Sequence, residues 1–157
     1  MGESGAMLVF FVHAVTTLLM TAVIWFVQIV HYPLFAEVGR ATFQRYERAH
    51  QRRIARLVIP LMLGELFSSL LLFWVAPPGL PTGYALSGLV LLAVIWLSTA
   101  ILQVPQHGRL ARRGFDTAVH TRLVSGNWLR TIAWTLRALL VCVALWALVS
   151  DGAPAAG

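Results

Sequence analysis

Apolar residues dominate four stretches of this chain, at about 6–31, 54–76, 84–105 and 127–149, and polar residues collect between them. Each stretch is close to the roughly 20 residues a helix needs to cross a bilayer. Within the first, Thr17, Thr21, Trp25, Gln28 and Tyr32 recur at spacings of 4, 4, 3 and 4, which puts them on one inward-looking helix face. Residues 36–56 carry two stripes, Phe43, Tyr46, His50 and Ile54 on one side and Arg45, Arg48, Arg52 and Arg56 on the other. That pattern predicts an amphipathic helix resting on the membrane surface and running into the second span. Pro60 is expected to kink that span, Pro105 and Gly108 to close the third, and the fourth to begin near Asn127. The loop 76–83 consists of turn formers, and the tail 150–157 reads as disordered. The predicted fold is all-α: one integral membrane domain, a four-helix transmembrane bundle with an amphipathic cytoplasmic helix between spans 1 and 2.

Composition agrees. The 157 residues are 59% hydrophobic and 11% charged, with a mean hydropathy of +0.77; soluble domains carry about 25% charged residues. All twelve basic residues are arginines, and their position beside apolar spans points to membrane topology and lipid headgroups rather than nucleic acid. Six fall in 40–56 and six in 109–137, while the loop 76–83 and both tails hold none. The positive-inside rule then predicts a multi-pass protein of the cell membrane with both arginine-rich connections in the cytoplasm and both termini outside. The first apolar run ends in HYP rather than a small-residue cleavage site, so it is expected to stay as a span. The single cysteine, Cys142, lies in an apolar run and reads as a small buried hydrophobe.

Charge inside the spans changes the picture most. Glu65 and Arg137 both fall on the order of 14 Å below the predicted cytoplasmic surface at a rise of about 1.5 Å per residue. An unpaired charge there is costly, so they are expected to form a structural ion pair. Asn127, Arg130, Trp134 and Arg137 follow at spacings of 3, 4 and 3 and form one polar and aromatic face. Gln28, His31, Gln103, His107 and Glu65 supply polar groups from the other spans, which predicts a polar pocket in the cytoplasmic half of the bundle. In such a pocket His31, His50 or His107 is a candidate base and Arg130, with Arg137, a candidate anion holder, while Gln28, Tyr46, Gln103, Asn127 and Trp134 would contact substrate. Trp25 and Trp128 are further stacking candidates, or members of an interfacial belt. His13 and His120 read as structural or surface residues. No metal-ligand spacing occurs and no cofactor is required, but His31, His50 and His107 remain weak metal candidates, with a heme held by two helices as a variant. Three classes stay open: an enzyme acting on a lipophilic aromatic molecule, a non-enzymatic protein that binds lipid or a partner, and a small transporter or proton relay. Membrane lipids are expected partners of all three; the oligomeric state is not readable.

The segment HYPLF followed by F-x-x-Y-x-x-x-H (Phe43, Tyr46, His50) resembles the anthrone oxygenase-like family of small four-span membrane proteins. V-P-x-H (Val104 to His107), L-x-x-x-N-W-x-R-T (Leu123 to Thr131), Trp134 and Arg137 extend the resemblance over roughly residues 8–148. It implies a four-helix membrane bundle and oxidation of polycyclic phenolic anthrones to quinones with dioxygen. The matching positions are His31, Pro33, Tyr46, His50, Pro105, Asn127, Trp128 and Arg130. The chain departs from the pattern at His107, where members often carry asparagine, and Glu65 maps to no position of it.

Overall fold

The computed structural model describes residues 2–81 and 83–151; most of the tail 150–157, read as disordered, lies outside them. Among the described residues there are helices and no strands. Helix α1 (Glu3–Phe26) widens into a π turn (Val27–His31) and ends in a 3-10 turn (Pro33–Glu37). Helix α2 spans Arg40–Trp74, and α3 (Tyr84–Ser98) passes through a second π turn (Thr99–Gln103) into α4 (Val104–Arg113). Helix α5 covers Thr117–Asp151. Four helical segments, Glu3–Glu37, Arg40–Trp74, Tyr84–Arg113 and Thr117–Ser150, are long and apolar enough to cross a membrane.

The four spans close a ring in which α1 packs on α2 and α5, and α3 packs on α5 and α2. Only 22–39% of the residues in their most apolar windows are buried within the bundle. The rest form an apolar jacket, including Phe11, Trp74, Trp146 and Val149, that only lipid chains would solvate well. Two arginine-rich regions meet at one end, where Gln44 and Arg48 donate to the carbonyls of Arg112 and Ala111. Of the twelve arginines, only Arg130 and Arg137 are buried.

Helix ends differ from the sequence expectation in three places. The amphipathic stretch does run into the second span, as one 35-residue helix continuous through Pro60. That helix is roughly 52 Å long against a hydrocarbon core of about 30 Å, so its arginine-bearing end projects past the bilayer. Its apolar stripe packs on protein, not on the membrane surface: Phe43 is fully buried against Phe35 and Phe115. Pro105 and Gly108 do not close the third span. Pro105 lacks an N–H and cannot join an ordinary helical ladder, but the π turn before it resets the hydrogen-bond register, so the helix continues to Arg113. The last helix starts at Thr117 because Asp116 caps it, accepting the Val119 N–H at 2.9 Å. The connection shrinks to Gly114–Asp116, and Gly114 at φ +88° makes a turn that a side chain would strain.

The first span also departs from its predicted inward face, at Trp25 in the regular helix before the π turn rather than after it. The Tyr32 N–H bonds the Val27 carbonyl five residues back, so the helix takes one extra residue there. Thr17, Gln28 and Tyr32 are buried as expected, but Trp25 is 40% exposed and pairs edge-on with the equally exposed Trp128 at 5.8 Å. That pair sits on the outside of the bundle, not in a pocket.

Candidate functional site

Two polar clusters lie inside the bundle, one deep and one at the arginine-rich end. The deep one centres on Glu65, which is fully buried. Arg137 Nε donates to Glu65 Oε1 at 2.7 Å, Thr17 donates to the same oxygen at 3.0 Å, and Trp134 Nε1 donates to Oε2 at 3.0 Å. Arg137 also donates to Ser69 Oγ and to the Gly88 carbonyl. An added Cβ at Gly88 would lie 3.5 Å from the guanidinium, an ordinary contact, so the approach is to the carbonyl and does not depend on glycine. Both carboxylate oxygens and the guanidinium are thus answered by partners from three other helices. His13 packs beside this cluster, within 3.5 Å of Ser68 and 3.3 Å of Ser69, and edge-on to Tyr84.

The second cluster is built from the end of the first π turn, α2 and α4. His31, ending that turn, places Nε2 2.8 Å from Nδ1 of His50 on α2. Only one proton fits between two imidazole nitrogens at that distance, so one ring donates and the other accepts. Where His50 donates, its Nε2 is left unprotonated, and Nε2 has no hydrogen-bond partner among the described residues. His107 on α4 is held at both nitrogens, with Nδ1 2.6 Å from Glu47 Oε1 and Nε2 2.8 Å from the Tyr32 hydroxyl. Gln51 ties this pair down by donating to Glu47 and to the His107 carbonyl. His120 Nε2 lies 2.8 Å from the Tyr32 carbonyl, which fixes the start of the 3-10 turn. Phe35, with no exposed surface, is the hub of the cluster; the rings of His31, Tyr46, His50, His107 and His120 lie within 6.3 Å of it.

Between the four spans is a cavity of about 320 Å³. Its wall is mostly aliphatic, from Met20, Ile24, Val58 and Met62, with polar patches from Tyr32, His50, Gln103, His107 and Arg130. Arg130 is 7% exposed. Its guanidinium donates to Asn127 and lies 5.3 Å over the Trp134 ring, yet among the described residues no carboxylate pairs with it. Its Nε, both side-chain polar atoms of Gln103 and Nε1 of Trp96, all on residues of this wall, are buried without a protein partner. Buried polar atoms rarely stay unpartnered, so the wall offers donors and an uncompensated positive charge to whatever fills the cavity.

Of the residues expected to act as base or anion holder, His50, His107 and Arg130 line this cavity. His31 lines a neighbouring groove with Tyr46. Gln103 lies on the cavity wall, but the other expected substrate contacts do not. Gln28 accepts from Asn127 at 2.8 Å and donates to the Val124 carbonyl, so both side chains are consumed in holding Arg130 from behind. Trp134 is fully buried with its N–H given to Glu65, and it joins the two clusters from below Arg130. Arg137 is likewise occupied by Glu65, which leaves Arg130 as the guanidinium available to an anion.

Glu47, Gln51 and Phe35 went unremarked in the sequence. Glu47 had a signal, since Phe43, Glu47, His50 and Ile54 follow at spacings of 4, 3 and 4 and share one face. As metal ligands the histidines are poorly disposed. The 2.8 Å between His31 and His50 leaves no room for a metal between those atoms, which needs about 2 Å to each. Both nitrogens of His107 are engaged, and among the described residues no group of three or more His, Cys, Asp or Glu side chains is placed to hold a metal ion.

The molecule is therefore a four-span helical protein of membrane type with a mostly aliphatic, polar-patched cavity inside its bundle. Searches of known protein families, curated proteins and solved structures return no match to this chain.

Proposed function

We propose that the protein is a membrane oxidoreductase that deprotonates a lipophilic, hydroxylated aromatic molecule in the inner cavity and commits it to reaction with dioxygen. The observation that carries this reading is Arg130: a buried guanidinium without a carboxylate, on the wall of an apolar cavity that His50 also lines. A buried cation of that kind favours an anion generated in place. The resemblance to anthrone oxygenase-like proteins supports the same class.

In this scheme His50 takes a proton from the acidic CH₂ of the substrate, and the enolate oxygen rests against Arg130. The carbanionic carbon adds dioxygen, a returning proton gives the hydroperoxide, and loss of water leaves a carbonyl. One CH₂ and one O₂ become one C=O and one H₂O. His31 orients His50 through their shared proton, and Asn127 with Gln28 orients Arg130. The positive-inside rule supports a cytoplasmic location for this end of the bundle and an outside location for both termini.

The test is oxygen uptake by the purified protein with a hydroxylated anthrone. One O₂ is expected per substrate consumed, and His50→Ala is expected to lower the rate by about 10²–10⁴-fold while the thermal unfolding profile stays in place. Unchanged uptake in that variant removes His50 as the base. Binding of the anthrone without uptake leaves a lipophile-binding protein in place of an enzyme.

A further inference from the structure

The inner cavity has a neighbour. A groove of about 650 Å³ runs between α1 and α2 and shares Val23, Val27, His50 and Ile54 with it. These four side chains form a partition one residue thick, and His50 is its polar member. Away from the partition the groove is floored by Ala22 and Ala49, whose small side chains leave it wide, and rimmed by Phe26 and Leu57. Phe26 is 58% exposed and Leu57 50%, so the groove opens onto the apolar jacket that faces lipid. Its polar lip, His31, Tyr46 and Arg53, lies at the arginine-rich end.

The sizes differ in a useful way. Sites for drug-sized ligands run from about 300 to 1,000 Å³, so the inner cavity is at the low end and suits a compact ring system alone. The groove is larger and nearly all aliphatic beyond its lip. Unpartnered polar atoms are found on the cavity wall, at Gln103, Arg130 and Trp96; none is found on the residues of the groove that the cavity does not share.

We infer that the substrate is lipid-borne: an oxygenated aromatic ring occupies the inner cavity and a single apolar chain lies in the α1–α2 groove, running out into the bilayer. This rests on the proposed chemistry only in placing the ring at Arg130 and His50. It adds a substrate class, a phenolic ring system of the anthrone type that bears an alkyl or isoprenoid chain as well as its acidic CH₂, and a lateral route from the membrane past His50. A chain in the groove is solvated by Val23, Ile54 and Leu57 much as by lipid, so it adds direction and retention rather than large affinity.

A photolabelling experiment tests this on the full chain in lipid nanodiscs. The probe is 4-decylphenol with a diazirine at the far end of its chain, and the competitor is tailless 1-naphthol. The expected result is label on peptides containing Ala22–Phe26 and Ala49–Leu57, reduced at least fivefold by excess 1-naphthol because the ring site is shared. Label spread over outward residues such as Phe11, Trp74 and Trp146, indifferent to 1-naphthol, overturns the inference. Groove label that competes, in a protein that takes up no oxygen, keeps the inference and removes the enzymatic reading. Oxygen uptake with diffuse label does the reverse.

Discussion

The two polar clusters of this bundle are built from similar parts and are finished differently. Each has a buried arginine on α5, seven residues apart on the same face. Arg137 meets Glu65, Ser69 and the Gly88 carbonyl, and Glu65 in turn is answered at both oxygens. Arg130 meets Asn127 and the face of Trp134 and then faces a cavity. In a low-dielectric interior a closed network holds helices in register, whereas an open one holds its polarity in reserve for a ligand. Charge and depth alone do not separate structural from functional arginines here. What separates them is whether the partner comes with the chain.

The comparison can be broken in order of expected effect. Glu65→Met strands Arg137 without its carboxylate, and should cost about 3–5 kcal/mol of stability. The double variant Glu65→Met, Arg137→Met should recover most of that, read by thermal unfolding in detergent. A harmless single variant would mean that the deep network is not what holds the helices together. Arg130→Met strands no carboxylate, so its effect on unfolding should stay within about 1 kcal/mol, while affinity for a hydroxylated anthrone should fall about 10–100-fold. Equal losses of stability in Arg130→Met and Glu65→Met would erase the distinction between the clusters. Gln103→Leu is the finest probe. It removes two polar atoms that have no protein partner, so stability should hold or rise by about 1 kcal/mol. Binding should weaken severalfold, measured by the same titration.

Much of this architecture was legible before the structure. Four apolar runs and arginines concentrated in and beside two connections sufficed for a four-span bundle, because lipid imposes length and charge rules on any chain that crosses it. The matched depth of Glu65 and Arg137 followed from helix rise alone. Helix ends were less legible. Pro105 reads as a stop in any α-helical frame, and only the wider turn before it lets the helix continue. Trp25 was placed on the inward face by two steps of four residues, which on a regular helix drift about 80° from Thr17 and carry it to the outside. Glu47 shares the face of Phe43, His50 and Ile54 and went unremarked among the arginines, although it packs inward to meet a histidine 60 residues away. Such a pairing depends on how α2 and α4 cross, which no local pattern carries.

The two π turns have a consequence at the level of the coding sequence. Each amounts to one residue more than an α-helix uses over the same length, and each ends two residues before a proline. Loss of a single codon within Thr99–Gln103 would let that turn close to an ordinary α-helical one, with the helix on either side facing as it does now. Loss of a codon in the regular part of the same span, Tyr84–Ser98, would instead rotate one side by about 100° against the other, although the span would remain as apolar and nearly as long. The π turns are thus the places in the spans where the smallest in-frame loss a gene can undergo is absorbed, and the regular helix beside them is where the same loss turns a wall of the site away.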